Sequence, residues 1–247
     1  MLKLSTWVPE DKLTTYLSIN PRAGKYLEEH PDLIDWMELS SNPGAIQTLE
    51  KNPEDGYLSC NPAAIHLLTP KTINWMYLSE NPNAIKILEA NPEKIHWSYL
   101  SRNPAAIHLL EANPHKIHWS NLSQNPAAIH LLEENPHKID WVWLSCNPSA
   151  IRLLKANPKK IDWMRLSENP SAIELLEANP DKIDWEELSA NPAAIRLLEA
   201  NQDKIDWDRL SANPAIFEYV PQPFTEELMQ NRFHPNNLDK FEAWGYE

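Results

Sequence analysis

The chain has 247 residues, 42% apolar and 23% charged, and it uses 22 prolines and 11 tryptophans against only 4 glycines, an imbalance that excludes strands joined by tight glycine turns. Its formal charge of -13 repels a phosphate backbone, so nucleic-acid binding is disfavoured and a basic or neutral protein surface is the better match. Two cysteines far apart in sequence, Cys60 and Cys146, form neither a disulfide framework nor a zinc spacing and suggest a reducing compartment. No run of 18 apolar residues occurs, and the segment from Met1 to Glu10 lacks the regions of a secretory signal. A soluble intracellular protein without membrane contact is therefore expected.

Tryptophan sets the register. Trp75, Trp97, Trp119, Trp141, Trp163, Trp185 and Trp207 recur at a spacing of 22 without a slip, and Leu-Ser-x-Asn-Pro occurs ten times between Leu17 and Pro214. Such self-similarity marks a solenoid, in which each unit contacts its neighbours. In chain order, the first unit carries Thr14 where tryptophan is expected, the degeneration of a capping unit with one face in water. In the second, Asp35 precedes Trp36 and stands three residues before Glu38, a capping-box spacing that Asp184 and Glu187 repeat. Trp36 and Trp75 are 39 residues apart instead of 44, with the losses around Asp55-Gly56-Tyr57 and Thr69-Pro70. This irregular unit, near 52–72, is expected either to bend the superhelix or to shrink a helix to one turn, and to serve as a hinge or partner notch.

From Trp75 onward every unit contains two helix starts. In the first, an aspartate such as Asp140 caps the turn holding Trp141 and Leu144. In the second, Asn103 caps and Pro104 takes the first helical position, where its missing N–H is not needed, while it also ends the preceding helix. Ala106, Ile107 and Leu110 then fall on one buried face, widened by Leu109. Helices this short are marginal alone, because about 12 to 15 residues are needed in water. Stacking must hold them.

Periodicity stops after Ala215, and the segment 217–247, with Phe217, Tyr219, Phe224, Phe233, Phe241, Trp244 and Tyr246, is expected to fold as a C-terminal cap, a separate domain or recognition tail being the alternative. The expected architecture is all-α. Residues 1–216 form a solenoid of about ten stacked two-helix units of 22 residues, with degenerate capping units at both ends. At about 8 to 10 Å between neighbouring helices it would make a curved rod roughly 80 to 100 Å long.

The Ile-Asp-Trp, Leu-Ser-x-Asn-Pro, Ala-Ile-x-Leu-Leu-Glu and Asn-Pro-x-Lys-Ile blocks resemble a repeat family encoded in many copies by giant DNA viruses of amoebae. The resemblance covers most of the chain and includes Arg232-Phe233-His234-Pro235 and the ending Phe241-Glu242-Ala243-Trp244-Gly245-Tyr246. It implies a viral protein placed in the cytoplasm of an infected host cell or in the virion, and it is nearly silent on activity. The shortened unit near Gly56 departs from the family pattern.

An enzyme needs a constellation held in a pocket. Four isolated glycines provide no P-loop or dinucleotide fingerprint, and no Gly-x-Ser-x-Gly, Cys-x-x-Cys or His-Glu-x-x-His occurs. No catalytic residue, metal or cofactor is expected. The recurring Glu111, Glu133 and Glu177 read as a solvated row. His108, His115, His118, His130 and His137 read as variable surface positions, with a pH-responsive patch or a metal site as the alternatives, although zinc ligands must converge to about 2.0 to 2.1 Å. The structural ladder Trp36, Trp75, Trp97, Trp119, Trp141, Trp163, Trp185 and Trp207 is assigned to the core.

Function is expected where units differ, at the pair after each ladder tryptophan. Among these, Tyr77, Tyr99, Asn121, Trp143 and Arg165 are the candidate partner-binding residues, because aromatic residues and arginine dominate interface hot spots. Packing between units is their other assignment. Glu186, Glu187 and Asp208 make the far end acidic. The expected function is a non-enzymatic interaction or scaffold solenoid for a protein partner, either a host factor or a virion subunit. A structural part of a virus particle is the alternative, and base-by-base RNA recognition a minor one.

Overall fold

The computed structural model describes residues 2–52 and 57–220, and it is an all-α solenoid with a single pair of three-residue strands among those residues. The unit from Pro114 shows the plan. A 3-10 turn (Pro114–Lys116) meets an extended break at Ile117, followed by a short α-helix (Trp119–Gln124), a second 3-10 turn (Pro126–Ala128) and a second α-helix (Ile129–Glu134). Each break falls where Asn-Pro or Ile-x-Trp demands it. The two asparagines of a unit do opposite jobs. Asn125 accepts from the Ala127 N–H at 3.0 Å and starts the second helix, whereas the Asn135 amide donates to the Leu131 carbonyl at 2.9 Å and closes it.

What joins the units is the other end of the first asparagine. The Asn125 side-chain amide donates to the Ser101 and Asn103 carbonyls of the preceding unit, each at 3.0 Å, and Asn42, Asn61, Asn81, Asn103, Asn147, Asn169, Asn191 and Asn213 repeat the pattern. Serine makes a parallel chain of bonds. Ser123 Oγ donates to the Trp119 carbonyl and accepts from the Asp140 N–H of the next unit. With Leu122, Ser123, Asn125, Ala128 and Leu132 all at 0% exposure, the block Leu-Ser-x-Asn-Pro-x-Ala is buried polar wiring inside an apolar core.

The ends do not face water as caps. The Asn20 amide donates to the Ser211 carbonyl at 3.0 Å and the Asn213 carbonyl at 2.9 Å, and the Thr14 N–H donates to Ser211 Oγ at 3.2 Å, so the first unit follows the tenth as every other unit follows its predecessor. The solenoid is a closed ring of ten units, not a rod. Strand β1 (Leu2–Leu4) pairs antiparallel with β2 (Phe217–Tyr219), Leu4 opposite Phe217, and clasps the seam. The Ser5 N–H donates to the Ile216 carbonyl, Arg22 donates to the Phe217 carbonyl, Ser5 Oγ bonds Glu218, and the buried Phe217 ring meets Tyr26 edge-on at 5.6 Å. Phe217 thus contributes to closure as part of this clasp. The rest of the expected C-terminal cap, from Pro221 onward, lies outside the described residues.

Ten units at about 8 to 10 Å per step give a circle about 25 to 32 Å across through the helix axes. Subtracting a helix diameter of about 10 to 12 Å leaves an opening of roughly 15 to 20 Å. The Trp-bearing helices of successive units pack directly on one another, whereas the second helices stand farther apart. The first set therefore lines the shorter, inner circumference and the second forms the outside. Thr14 shows how the first unit fits this frame: a short 3-10 helix (Thr15–Ile19) replaces the α-helix, and Thr14 stands at its N-cap without a side-chain capping bond.

The shortened unit is absorbed without a hinge in the ladder. Both of its helices contract to single 3-10 turns, Leu58–Cys60 and Ile65–Leu67, while Asn61 and Asn81 still make their two bonds each to the unit before. Residues 53–56, where part of the irregularity was expected, lie outside the described residues.

Candidate functional face

The residue before the buried leucine of each first helix points away from the core, and closure arranges ten of them in a band on the inner face. In order these are Tyr16, Glu38, Tyr57, Tyr77, Tyr99, Asn121, Trp143, Arg165, Glu187 and Arg209. All five candidate partner-binding residues belong to this band. Tyr57, Tyr77 and Tyr99 meet edge to face, with ring centroids 5.1 and 6.1 Å apart, and Arg102 lies 5.7 Å over Tyr99. Arg102 continues to Asn121 Oδ1 at 3.3 Å, and the Asn121 amide donates to the Ser98 carbonyl and hydroxyl, each at 2.8 Å. Trp143 is stacked by Arg165 at 4.7 Å, and Arg165 in turn holds Glu168. Only Asn121, 8% exposed, is buried; the two tyrosines, Trp143 and Arg165 are half-buried, so each packs on a neighbour and presents surface to the opening.

The acidic stretch is less open than its sequence suggests. Glu187 is 6% exposed and pairs with Arg209 at 3.2 Å; burial, and then the nearby Glu168, push its carboxyl above the usual range, with Arg209 opposing. Because its folded pKa is raised, the neutral acid is favoured in the ring, and stability present at low pH is lost as pH rises through that value. Glu187→Gln is therefore expected to raise the melting temperature at pH 7 to 8 and to lose this advantage in acid. Equal shifts at both pH values would show that the carboxyl is not strained. Burial, reinforced by Glu80 or Glu168, likewise pushes the thiols of Cys60 and Cys146 up to about 11, far from thiolate reactivity at neutral pH.

The ladder tryptophans are not enclosed in the core as expected. They are half-buried, Trp36 is 37% exposed, and five carry a lysine of the next unit over the ring: Lys116 on Trp97, Lys138 on Trp119, Lys160 on Trp141, Lys182 on Trp163 and Lys204 on Trp185, at 4.3 to 5.8 Å. The lysine of Asn-Pro-x-Lys was the visible signal. Its spacing of 19 after tryptophan places the two in adjacent units, where each pair contributes about 0.5 to 1 kcal/mol.

Of the five singled-out histidines, two are surface links and a third is a helix cap. His108 bonds Glu89 and His130 bonds Glu111, each at 2.9 Å, and His118 accepts from the Asn121 N–H as a cap. Among the described residues no three His, Cys, Asp or Glu side chains are placed to hold a metal ion, and no helix is long and apolar enough to cross a membrane. Comparison with protein-family models, with curated proteins and with solved structures gave no match.

Proposed function

We propose that the protein is a non-catalytic interaction ring that receives a protein partner on its inner face. The observation that carries this reading is the division of labour within the unit. Leucine, serine, asparagine and alanine are consumed by core and ladder, while one variable position of each unit falls on a single band rich in Tyr, Trp and Arg. Such a band is expensive to leave exposed without a use, and its aromatics are held rigid by their neighbours, which lowers the ordering cost of binding. The partner is a host factor or a subunit of a virus particle, consistent with the family resemblance of the repeat blocks.

Recovery of the tagged ring and of a Tyr77→Ala, Tyr99→Ala, Trp143→Ala variant from the same infected cells, with bound protein and nucleic acid identified, tests it. The expected result is a defined protein on the parent ring that falls by about tenfold or more on the variant, the size of a hot-spot loss, while the variant stays folded. Equal recovery on both would remove the inner band from the interaction.

A further inference from the structure

We propose that the hollow beside the seam, between the first two units, binds the guanidinium of an arginine side chain from a protein partner. This rests on the reading of the inner face as the binding surface and names one contact that it makes. The band shows what its aromatic positions accept. Twice, at two different registers, the chain sets an arginine over a band aromatic with a carboxylate beside it: Trp143 under Arg165 with Glu168, and Tyr99 under Arg102 with Glu80 at 3.8 Å. A planar cation lies on an aromatic face and forks to a carboxylate.

In the first two units no arginine stands at either register, since Glu38 takes the position of Arg165 and Ile19 that of Arg102. Tyr16 and Glu38 stand at band positions of consecutive units, but among the described residues Tyr16 has no ring or cation partner and Glu38 no ion pair. Arg209, which precedes Tyr16 around the ring, is turned back onto Glu186 and Glu187 at 3.3 and 3.2 Å. What remains is a hollow of about 230 Å³ lined by Thr15, Tyr16, Ile19, Asp35 and Glu38. Tyr16, 50% exposed, and Ile19, 37% exposed, form an aromatic and an aliphatic wall. Asp35 spends Oδ1 on the Met37 and Glu38 N–H groups and keeps Oδ2 free among the described residues, so two carboxylates border the space. Lysine serves a different place in this fold, over the ladder tryptophans, whereas both band aromatics that carry a cation carry arginine.

The test is titration of the ¹⁵N-labelled full chain with N-acetyl-argininamide, followed by amide shifts. Saturable shifts confined to Tyr16, Ile19 and Glu38 and their neighbours are expected. Glu38→Gln should weaken the response about threefold or more, the range for a partly exposed charge pair, and Tyr16→Ala should abolish it, with all distant amides unchanged as proof of folding. No saturable shift, or an equal response to N-acetyl-citrullinamide or N-acetyl-lysinamide, overturns the proposal. The Tyr77, Tyr99, Trp143 variant separates the two readings: it should keep arginine binding at the seam while losing its partner, and a failed titration leaves the partner experiment intact.

Discussion

Asn125→Ala is expected to cost roughly 3 kcal/mol, the sum of a lost helix cap, the buried Ser101 carbonyl left without its donor and the Asn103 carbonyl left with the Ala106 N–H alone. Asn125 is fully buried and serves three backbone groups in two units at once, bonding Ala127, Ser101 and Asn103. For a chain of this length that is a fall in melting temperature of about 6 to 12 °C. The sharper comparison is with Asn20→Ala. In an open rod Asn20 would sit at the end with its amide in water, and its loss would remove little beyond the cap. In the ring it bonds Ser211 and Asn213, 191 and 193 residues away, so its loss should cost as much as that of Asn125. Equal melting shifts for the two variants are the expected result, and a near-silent Asn20→Ala would open the ring.

Gly44→Ala is expected to destabilise the protein by about 2 to 3 kcal/mol, at the upper end of overpacking effects. Most other units carry alanine, serine or asparagine at this position, for example Ala105, Ser149 and Asn83. Between the first and second units the backbones approach more closely: a Cβ on Gly44 would run into the Pro21 carbonyl, and one on Gly24 into the carbonyl of Gly44. The obstacle is main chain beside the seam, so no side chain can swing aside. The control is Ala105→Ser, which Ser149 already models and which should change the melting temperature little. Unchanged melting of Gly44→Ala would show that the first two units can slide apart.

The helices, their caps and the ten units were legible because each depends on residues within one unit. Asp140 caps the Trp143 N–H, Asn103 caps the Ala105 N–H, and Pro104 starts a turn, as spacing alone requires. What stayed hidden depends on where a side chain points across units. The spacing of Asp35 to Glu38 and Asp184 to Glu187 suggests capping boxes, yet the backbone N–H groups of Asp35 and Asp184 are already taken by Ser18 and Ser167 of the unit before. Closure was hidden for the same reason. Thr14 and the end of periodicity after Ala215 read as the marks of capping ends, but the Thr14 N–H bonds Ser211 Oγ of the tenth unit and the chain after Ile216 becomes the strand that pairs with β1. The partner-binding candidates were found as a row because they share a register. Their mutual contacts, and the place of Tyr16 beside Glu38 in the same band, required the first unit to be set next to the last.

Closure also changes what the repeat number means. An open stack of this kind tolerates gain or loss of whole units, since a new one finds the same two neighbours and only the length changes. Here the angle between units and their number multiply to one full turn, and Asn20 meets Ser211 and Asn213 only when that product is met. The chain has shortened one unit, at Leu58–Cys60 and Ile65–Leu67, while leaving the count untouched. Duplication, the usual route by which such arrays diversify, is closed to it unless every junction is re-angled together. Its remaining freedom is to change the letters of the inner band one at a time.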